Sequence, residues 1–345
     1  MAQAFRTAED LPEPRPIRRI SVIVPMLNEA DYVEQFAGDV AAQDFEGDVE
    51  VVVADGGSTD GSVDRLREAA RRRKLALTVL QNPSRWVSHG LNACIRHADG
   101  DLLVRLDCHS RYAADYLRRC AVVAEETGAE AVGGIVVPRG RTWFERAVSC
   151  AMESPFGGIG WMRDTATPTR RDSDVVTYGA FRPEAFERAG LFDESLVRNQ
   201  DDEFTLRLRR SGCRVVLDST IQVQYTPRGS YAAVFDQYFQ YGLWKVPVML
   251  KYRRISSARS VAPLLFVGSL GVLMPSALLH RRFRRLLALE LAAYVAGAFV
   301  FGAASVRRRQ EPLRLIAVVA TVFPTFHSAY GIGMVAGWLR ALRGR

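Results

Sequence analysis

The chain has 345 residues, 48% of them hydrophobic, enough apolar material for about two domains with their own cores. Its net charge of +8 is uneven: Lys251 to Arg345 holds 15 Lys and Arg against only Glu290 and Glu311, so the first 250 residues are net acidic. An acidic folded part repels phosphate chains, which argues against nucleic acid as a partner. Five scattered cysteines with no C-x-x-C pair indicate neither a zinc site nor a disulfide framework.

In chain order, MAQAFRTAEDLPEPRPIRR is polar and Pro-rich without an apolar stretch, so residues 1–18 are expected to be a loose arm and no signal peptide. Strands are predicted over Arg19–Pro25, Val49–Ala54, Leu77–Leu80 and Leu102–Leu106. Helices are predicted over Asp31–Gln43, Ser62–Lys74 and Ser88–His97. That alternation implies a mostly parallel sheet with helices on both faces, and ligands beyond the carboxyl ends of the strands. Three strands end there in polar or acidic residues: Asn28 and Glu29, Asp55, and Asp107 with His109. No G-x-G-x-x-G follows the first strand, so a dinucleotide site lacks its phosphate cradle. Carboxylates cannot hold a pyrophosphate directly, but they accept hydrogen bonds from a base or ribose and hold a divalent cation. Asp55 suits a ring N–H of a nucleotide base, with Gly56 and Gly57 turning the backbone around it; Asp60 either joins it or caps the next helix.

Further along, WFERAVSCAMESPFGGIGWM (143–162) reads as an amphipathic stretch able to skim a surface, and RDTATPTRRDSD (163–174) as a mobile loop. SYAAVFDQYFQYGLWKVPVMLKYRR (230–254) is dense in aromatics at near-helical spacing before a basic end. It is expected to lie at the lipid headgroup level, with Lys245, Lys251, Arg253 and Arg254 meeting anionic lipid, or else to be a core helix. The apolar segments 261–279, 286–306 and 315–339 follow. The first is 19 residues without a charge, about 28 Å as a helix and close to a bilayer core. Every flank is basic, which simple alternation across a membrane does not produce; a re-entrant segment or a shallow hairpin would reconcile it. Glu290 is expected to face protein or an aqueous cavity.

SVIVPMLNE (21–29), VVVADGGSTDGS (51–62), GLNACI (90–95), DGDLLVRLDCHS (99–110), TYGAFRPEAFERAGLFDE (177–194) and NQDDEFTLRLRRSGCRV (199–215) together resemble the family 2 inverting glycosyltransferases. The resemblance covers about residues 19–250, and its narrower form is to membrane-attached bacterial exopolysaccharide transferases of the succinoglycan type. It implies an α/β fold of the GT-A type over 19–229, an interface helix and basic linker over 230–259, and a transmembrane region over 260–345. By the same resemblance Pro25, Asn28 and Glu29 form the first nucleotide-contacting loop, and Asp55 reads the base. Asp107 is the first acid of a D-x-D metal motif whose third position is His109 here, so that the cation is Mn²⁺ or Mg²⁺. Imidazole suits Mn²⁺ better, unless His109 only hydrogen-bonds a phosphate. Counting back from Arg207, the resemblance makes Asp201 the catalytic base, with Asp202 and Glu203 as competitors that cap the helix or pair with Arg207. The acceptor side is assigned to Tyr178, Gly179, Phe181, Asp202 and Trp244. The implied partners are a nucleotide-sugar donor, expected to be UDP-linked, a lipid-linked glycan acceptor, and the inner membrane with the catalytic part on its cytoplasmic side. Two other readings stay open: a polyprenyl-phosphate sugar synthase, and an inactive membrane scaffold.

Overall fold

The computed structural model describes residues 16–157, 168–253 and 258–343. In chain order the elements begin β1 (Arg19–Met26), α1 (Val33–Ala41), β2 (Asp48–Asp55), α2 (Ser62–Arg73), β3 (Ala76–Gln81), α3 (Val87–His97) and β4 (Leu102–Arg105). Then come β5 (Ser110–Tyr112), α4 (Tyr116–Thr127), β6 (Ala131–Pro138), α5 (Trp143–Met152), β7 (Arg170–Asp172), β8 (Thr177–Phe181), α6 (Pro183–Ala189), α7 (Gln200–Arg210) and β9 (Val215–Tyr225). The chain ends in α8 (Tyr231–Tyr252), α9 (Ala258–Leu279), α10 (Arg281–Arg308) and α11 (Leu315–Arg343). These form two compact units, Met1–Val137 with Asp164–Tyr225, and Pro138–Arg163 with Thr226–Arg345.

The first unit is built on a sheet of order β3-β2-β1-β4-β8-β6-β9-β5, with β7 on β9. β3, β2, β1 and β4 run parallel, and β8 joins β4 antiparallel. Successive strand residues face opposite sides. Val22, Val24, Val51, Val53 and Val104 therefore enter one core with Phe36, Leu66 and Leu117 of α1, α2 and α4. Ile23, Val52, Ala54 and Leu103 enter the other with Leu91, Phe186 and Phe204 of α3, α6 and α7. Arg105 shares the parity of Leu103, so the strand delivers a guanidinium to the face that α7 covers.

Helix α7 is fixed there by Phe204, which is fully buried with its ring 4.5, 5.3 and 5.4 Å from those of Phe192, Phe186 and Phe181. Truncating it leaves a cavity that rigid rings cannot fill. Phe204→Ala is expected to destabilise the first unit by about 3–5 kcal/mol, measured by urea denaturation of the full chain in detergent.

Of the arm expected over 1–18, residues 1–15 lie outside the described residues. Ile17 is buried and its N–H donates to Glu125 at 2.6 Å, while the N–H groups of Arg18 and Arg19 both donate to Asp101 at 2.9 Å. Anchoring thus begins before the predicted strand. Residues 163–167 of the expected mobile loop also lie outside the described residues; its later part is the strand β7, paired with β9 from Arg170 to Asp172.

The second unit corrects the expectation of one transferase domain over 19–229, because α5 belongs here. Its start is sealed by a capping box between Thr142 and Glu145. Its apolar face, Ala147, Val148, Cys150 and Ala151, packs with Val319, Phe323 and Phe326 of α11. Arg146 pairs with Glu311, and Arg309 pairs with the buried Glu153, to whose carbonyl Arg308 also donates at 2.8 Å. Two of the three arginines at 307–309 therefore bind the unit's own acid, which accounts for part of the excess basicity around the apolar segments. The apolar face of α5 meets protein and not lipid, and residues 158–162 lie outside the described residues.

The helix expected over 230–254 packs one face on protein, and the expected lipid contact of Lys245 is corrected. α8 packs on α11 backbone to backbone: a Cβ on Gly242 would stand 2.0 Å from the Tyr330 carbonyl, and one on Gly333 would stand 2.2 Å from that of Phe239. Tyr238 stacks on Phe326 at 4.0 Å, and Lys245, expected at the lipid surface, is buried on the packed side. Tyr231, Phe235 and Tyr241 form the exposed face. Arg254 lies outside the described residues. Among the described residues, three helices are long and apolar enough to cross a membrane: Ser260–Leu279, Arg281–Arg308 and Leu315–Arg343. α9 and α10 expose most of their apolar residues, whereas 44% of the apolar window of α11 is buried. Glu290 faces protein as expected, accepting from Ser269 of α9 at 2.5 Å. His327 of α11 donates from Nε2 to the Phe156 carbonyl at 2.8 Å, so its Nδ1 accepts from the Tyr294 hydroxyl at 2.7 Å.

Candidate active site

The carboxyl ends of β2, β1 and β4 lie side by side, with Asp55 opposite Met26 and Ile23 opposite Arg105 in the strand register. Beyond them the predicted residues fall into two groups of contacts along the rim, one around Asp55, Asn28, Glu29 and His109 and one around Asp107 and Asp201. Asp55 is buried and closes its own turn: its carboxylate accepts from the N–H of Gly57 at 3.0 Å, the N–H of Ser58 at 3.1 Å and the Ser58 hydroxyl at 2.6 Å. Gly57 sits at φ +80°, a conformation glycine adopts without cost. Ser58 then accepts from the N–H of Asn28 at 2.8 Å, and Asn28 returns a side-chain oxygen to the N–H of Thr59 at 2.9 Å.

Asp60 ties the same two loops together, accepting from the N–H groups of Ala30 and Ser62, both at 3.0 Å. Gly61 stands at the N-cap of α2 without a side chain, and Asp60 reaches past it to the first helical N–H, that of Ser62. Glu29 donates its N–H to Ser62 at 2.7 Å, and its carboxylate holds His109 Nδ1 at 2.9 Å. Pro25, one residue before the strand ends, pairs with Ala54 across the β1–β2 ladder.

At the β4 end the geometry is set by a residue that motif reading passed over. Arg105 is buried between two acids, with Nη1 on Asp201 and Nη2 3.4 Å from both oxygens of Asp107. Burial alone would lower its pKa, but Asp107 and Asp201 raise it on balance. Asp201 stands in the first turn of α7, whose dipole favours an anion there. Its carboxyl pKa is nevertheless raised above the ordinary range by burial, against which Arg105 acts. The signal for Arg105 was a basic residue inside an otherwise apolar four-residue strand, LLVR, a position that needs a buried acid partner.

The two acids that follow Asp201 differ in their surroundings. Glu203 is buried and pairs with Arg207 at 3.0 Å, an i,i+4 contact, and Arg207 also donates to the Leu191 carbonyl at 2.7 Å. Asp202 is a partly exposed neighbour that raises the Asp201 pKa by its charge. The acceptor-side expectation is corrected for three residues, because Tyr178, Gly179 and Phe181 are all buried. Phe181 belongs to the ring cluster around Phe204. Tyr178, at φ +53°, lies under the Arg105 guanidinium at 5.7 Å and is held by the Ser110 hydroxyl at 3.1 Å, with its carbonyl accepting from Tyr116 at 3.1 Å. Gly179 has no room for a side chain, since a Cβ would stand 2.4 Å from the Phe181 ring. Trp244 lies in α8 of the second unit, with the Arg340 guanidinium 5.0 Å over its ring.

Among the described residues, no group of three or more His, Cys, Asp or Glu is arranged to hold a metal ion. A cation that arrives with phosphates needs fewer protein ligands, commonly one or two carboxylates with the shell completed by substrate and water. Asp107 and His109 fit that smaller set. The Asp107 carboxylate has only the long contacts to Arg105, while its N–H is held by the Tyr112 hydroxyl at 2.8 Å. Nδ1 of His109 lies on the Glu29 carboxylate, the carboxylate–imidazole arrangement that orients metal-binding histidines.

A mostly parallel α/β sheet with an acidic rim at its carboxyl edge and an acidic helix start beside it defines a GT-A type glycosyltransferase fold. Residues 21–188 match the family described as Glycosyl transferase family 2. The chain is 32% identical over 245 residues to the succinoglycan biosynthesis protein ExoA of Rhizobium meliloti (strain 1021), covering 70% of this chain and 74% of that protein. A Methanococcus voltae dolichyl N-acetyl-alpha-D-glucosaminyl phosphate 3-beta-D-2,3-diacetamido-2,3-dideoxy-beta-D-glucuronosyltransferase is 25% identical over 236 residues, 66% of this chain and 72% of that one. In fold the chain is similar to the mannosyltransferase PcManGT from Pyrobaculum calidifontis, solved with GDP-Man and Mn²⁺. The TM-score is 0.59 at 21% identity, over 100% of this chain and 92% of that one. The chain belongs to glycosyltransferase family 2.

Proposed function

We propose that the chain is a membrane-anchored inverting glycosyltransferase. It moves a sugar from a nucleotide donor, UDP-linked, to a hydroxyl of a lipid-linked or polysaccharide acceptor in exopolysaccharide synthesis. The observation that carries this reading is the pairing of Asp201 and Asp107, both partly exposed, with one buried guanidinium, Arg105, at the strand edge that also presents Asn28, Glu29 and Asp55. Similarity to a succinoglycan biosynthesis protein supports the substrate class. The three apolar helices support anchoring, with the catalytic unit on the cytoplasmic side, where nucleotide sugars are made.

In this reading Asp55 and the Asn28–Glu29 loop receive the base and ribose, and Pro25 shapes the loop's entry. Asp107 and His109 would hold a divalent cation, Mn²⁺ or Mg²⁺, which when bound neutralises charge on the departing diphosphate. Asp201 takes the proton of the acceptor hydroxyl as its oxygen bonds to the anomeric carbon. The bond from that carbon to the diphosphate oxygen breaks, and the nucleotide diphosphate leaves with the bonding pair. One displacement inverts the centre, so an α-linked donor yields a β-glycoside. Asp202 stays on the acceptor side as a second carboxylate.

The test is donor turnover in detergent with UDP-glucose, UDP-galactose, UDP-N-acetylglucosamine and GDP-mannose, with and without Mn²⁺. Turnover of a UDP-sugar that needs the cation supports the reading; no binding of UDP by calorimetry favours the inactive scaffold. A pH dependence follows from Asp201. The base must be ionised to accept a proton, so activity falls as pH drops through its pKa. Because burial raises that pKa, the acid limb of kcat/KM is expected above the ordinary carboxylate value of about 4. A limb at or below that value would contradict a buried base.

A further inference from the structure

Arg105 is a buried cation at the rim that the mechanism above leaves unused. Its side chain is 9% exposed, and its Nε is buried with no hydrogen-bond partner. One Nη is tight on Asp201, and the other leans on Asp107 at 3.4 Å, beyond an ordinary N–H···O distance. Tyr178 supports the guanidinium from below in a left-handed conformation, itself held by Ser110 and Tyr116. As a device for folding this is poor chemistry. A buried ion cluster is often no more stable than apolar side chains of the same volume, and here one donor is left unpartnered. As a device for holding a carboxylate it is well suited, because a planar guanidinium orients two acids from fixed directions, which an ammonium cannot do.

We propose that Arg105 is a positioning residue for Asp201: its guanidinium fixes the rotamer of that carboxylate and links it to Asp107, so the donor end and the acceptor end of the site share one fixed charge. The proposal rests on reading Asp201 as the base. Arg105 touches neither the sugar nor the acceptor in it, and acts through the two acids. Removing it leaves two neighbouring carboxylates without a counter-charge and Asp201 free to rotate away from the acceptor hydroxyl.

The test is a mutant cycle on the full chain in detergent, comparing Arg105→Gln, Arg105→Lys, Asp201→Asn and the Arg105→Gln/Asp201→Asn double variant. Turnover is measured with whichever of the four panel sugars the wild type uses fastest. Arg105→Gln is expected to lower kcat by about 10²-fold, the low end of what a positioned base contributes, with KM for the donor unchanged. Arg105→Lys, which keeps the charge without the fork, recovers part of the loss. The double variant is no slower than Asp201→Asn alone, because residues acting as one unit are not additive. Melting temperature and UDP binding by calorimetry report folding; if Arg105→Gln does not fold, the cycle with Arg105→Lys reads the same coupling. Wild-type kcat in Arg105→Gln, or losses that multiply in the double variant, overturns the proposal while leaving Asp201 as base. Wild-type kcat in Asp201→Asn overturns the base reading itself, and the proposal with it.

Discussion

Asp201→Asn is expected to lower transfer to a hydroxyl acceptor by about 10²–10⁴-fold in kcat, the range for a lost general base, with UDP affinity unchanged. Asparagine is nearly isosteric, and its amide oxygen still accepts from Arg105, so the ring cluster behind α7 and the nucleotide loops are not disturbed. The loss therefore reads chemistry and not folding. The acceptor class follows from the same variant. A polyprenyl monophosphate is already an anion and needs no base, so an enzyme using it would tolerate Asp201→Asn. Glu203→Gln is a contrasting case, because that carboxylate holds Arg207 against the Leu191 carbonyl; its effect should appear in melting temperature before it appears in kcat.

The rim was legible in the sequence because its residues stand where strands stop: β2 ends on Asp55, and Asp107 follows shortly after the end of β4 at Arg105. The spacing back from Arg207 led to Asp201, which the structure puts in contact with Arg105. Arg105 gave only a partial signal, a basic residue inside an apolar strand, which calls for an acid partner without naming it. It sits inside a strand, where side-chain parity and the arrival of α7 from almost a hundred residues away decide what it meets. Phe181 and Tyr178 were misassigned to the acceptor side because a motif reports that residues are neighbours and not which way they face. The same limit applies to α5. Its amphipathic pattern correctly indicates one apolar face, but lipid and the helix α11 satisfy that face equally well in sequence terms. Lys245 is the sharpest case, since a lysine among aromatics reads as surface until Gly242 and Gly333 let two backbones close over that side.

Asp107→Asn is expected to remove cation-stimulated turnover. A bound cation supplies several kcal/mol of transition-state stabilisation, so the loss in kcat should reach about 10³-fold. UDP affinity should become the same with Mn²⁺ as with EDTA by calorimetry. Asparagine removes a negative charge while keeping an oxygen ligand, and Arg105 keeps Asp201 as its partner, so folding is expected to hold. Glu29→Gln tests the other half of the site. It weakens the carboxylate that orients His109, and orienting partners of this kind are worth about 10–100-fold in metal affinity. If Glu29→Gln leaves the Mn²⁺ dependence untouched, His109 is not a ligand and Asp107 alone meets the cation.

One carboxylate, Asp201 on the buried Arg105 guanidinium, is expected to activate an acceptor which displaces the nucleotide in a single step. Proton NMR of the sugar released when water replaces the acceptor tests this without knowledge of the natural acceptor. With an α-linked donor, the β-anomer is expected first, before mutarotation mixes the two forms. Release of the α-anomer would contradict a single displacement at this rim.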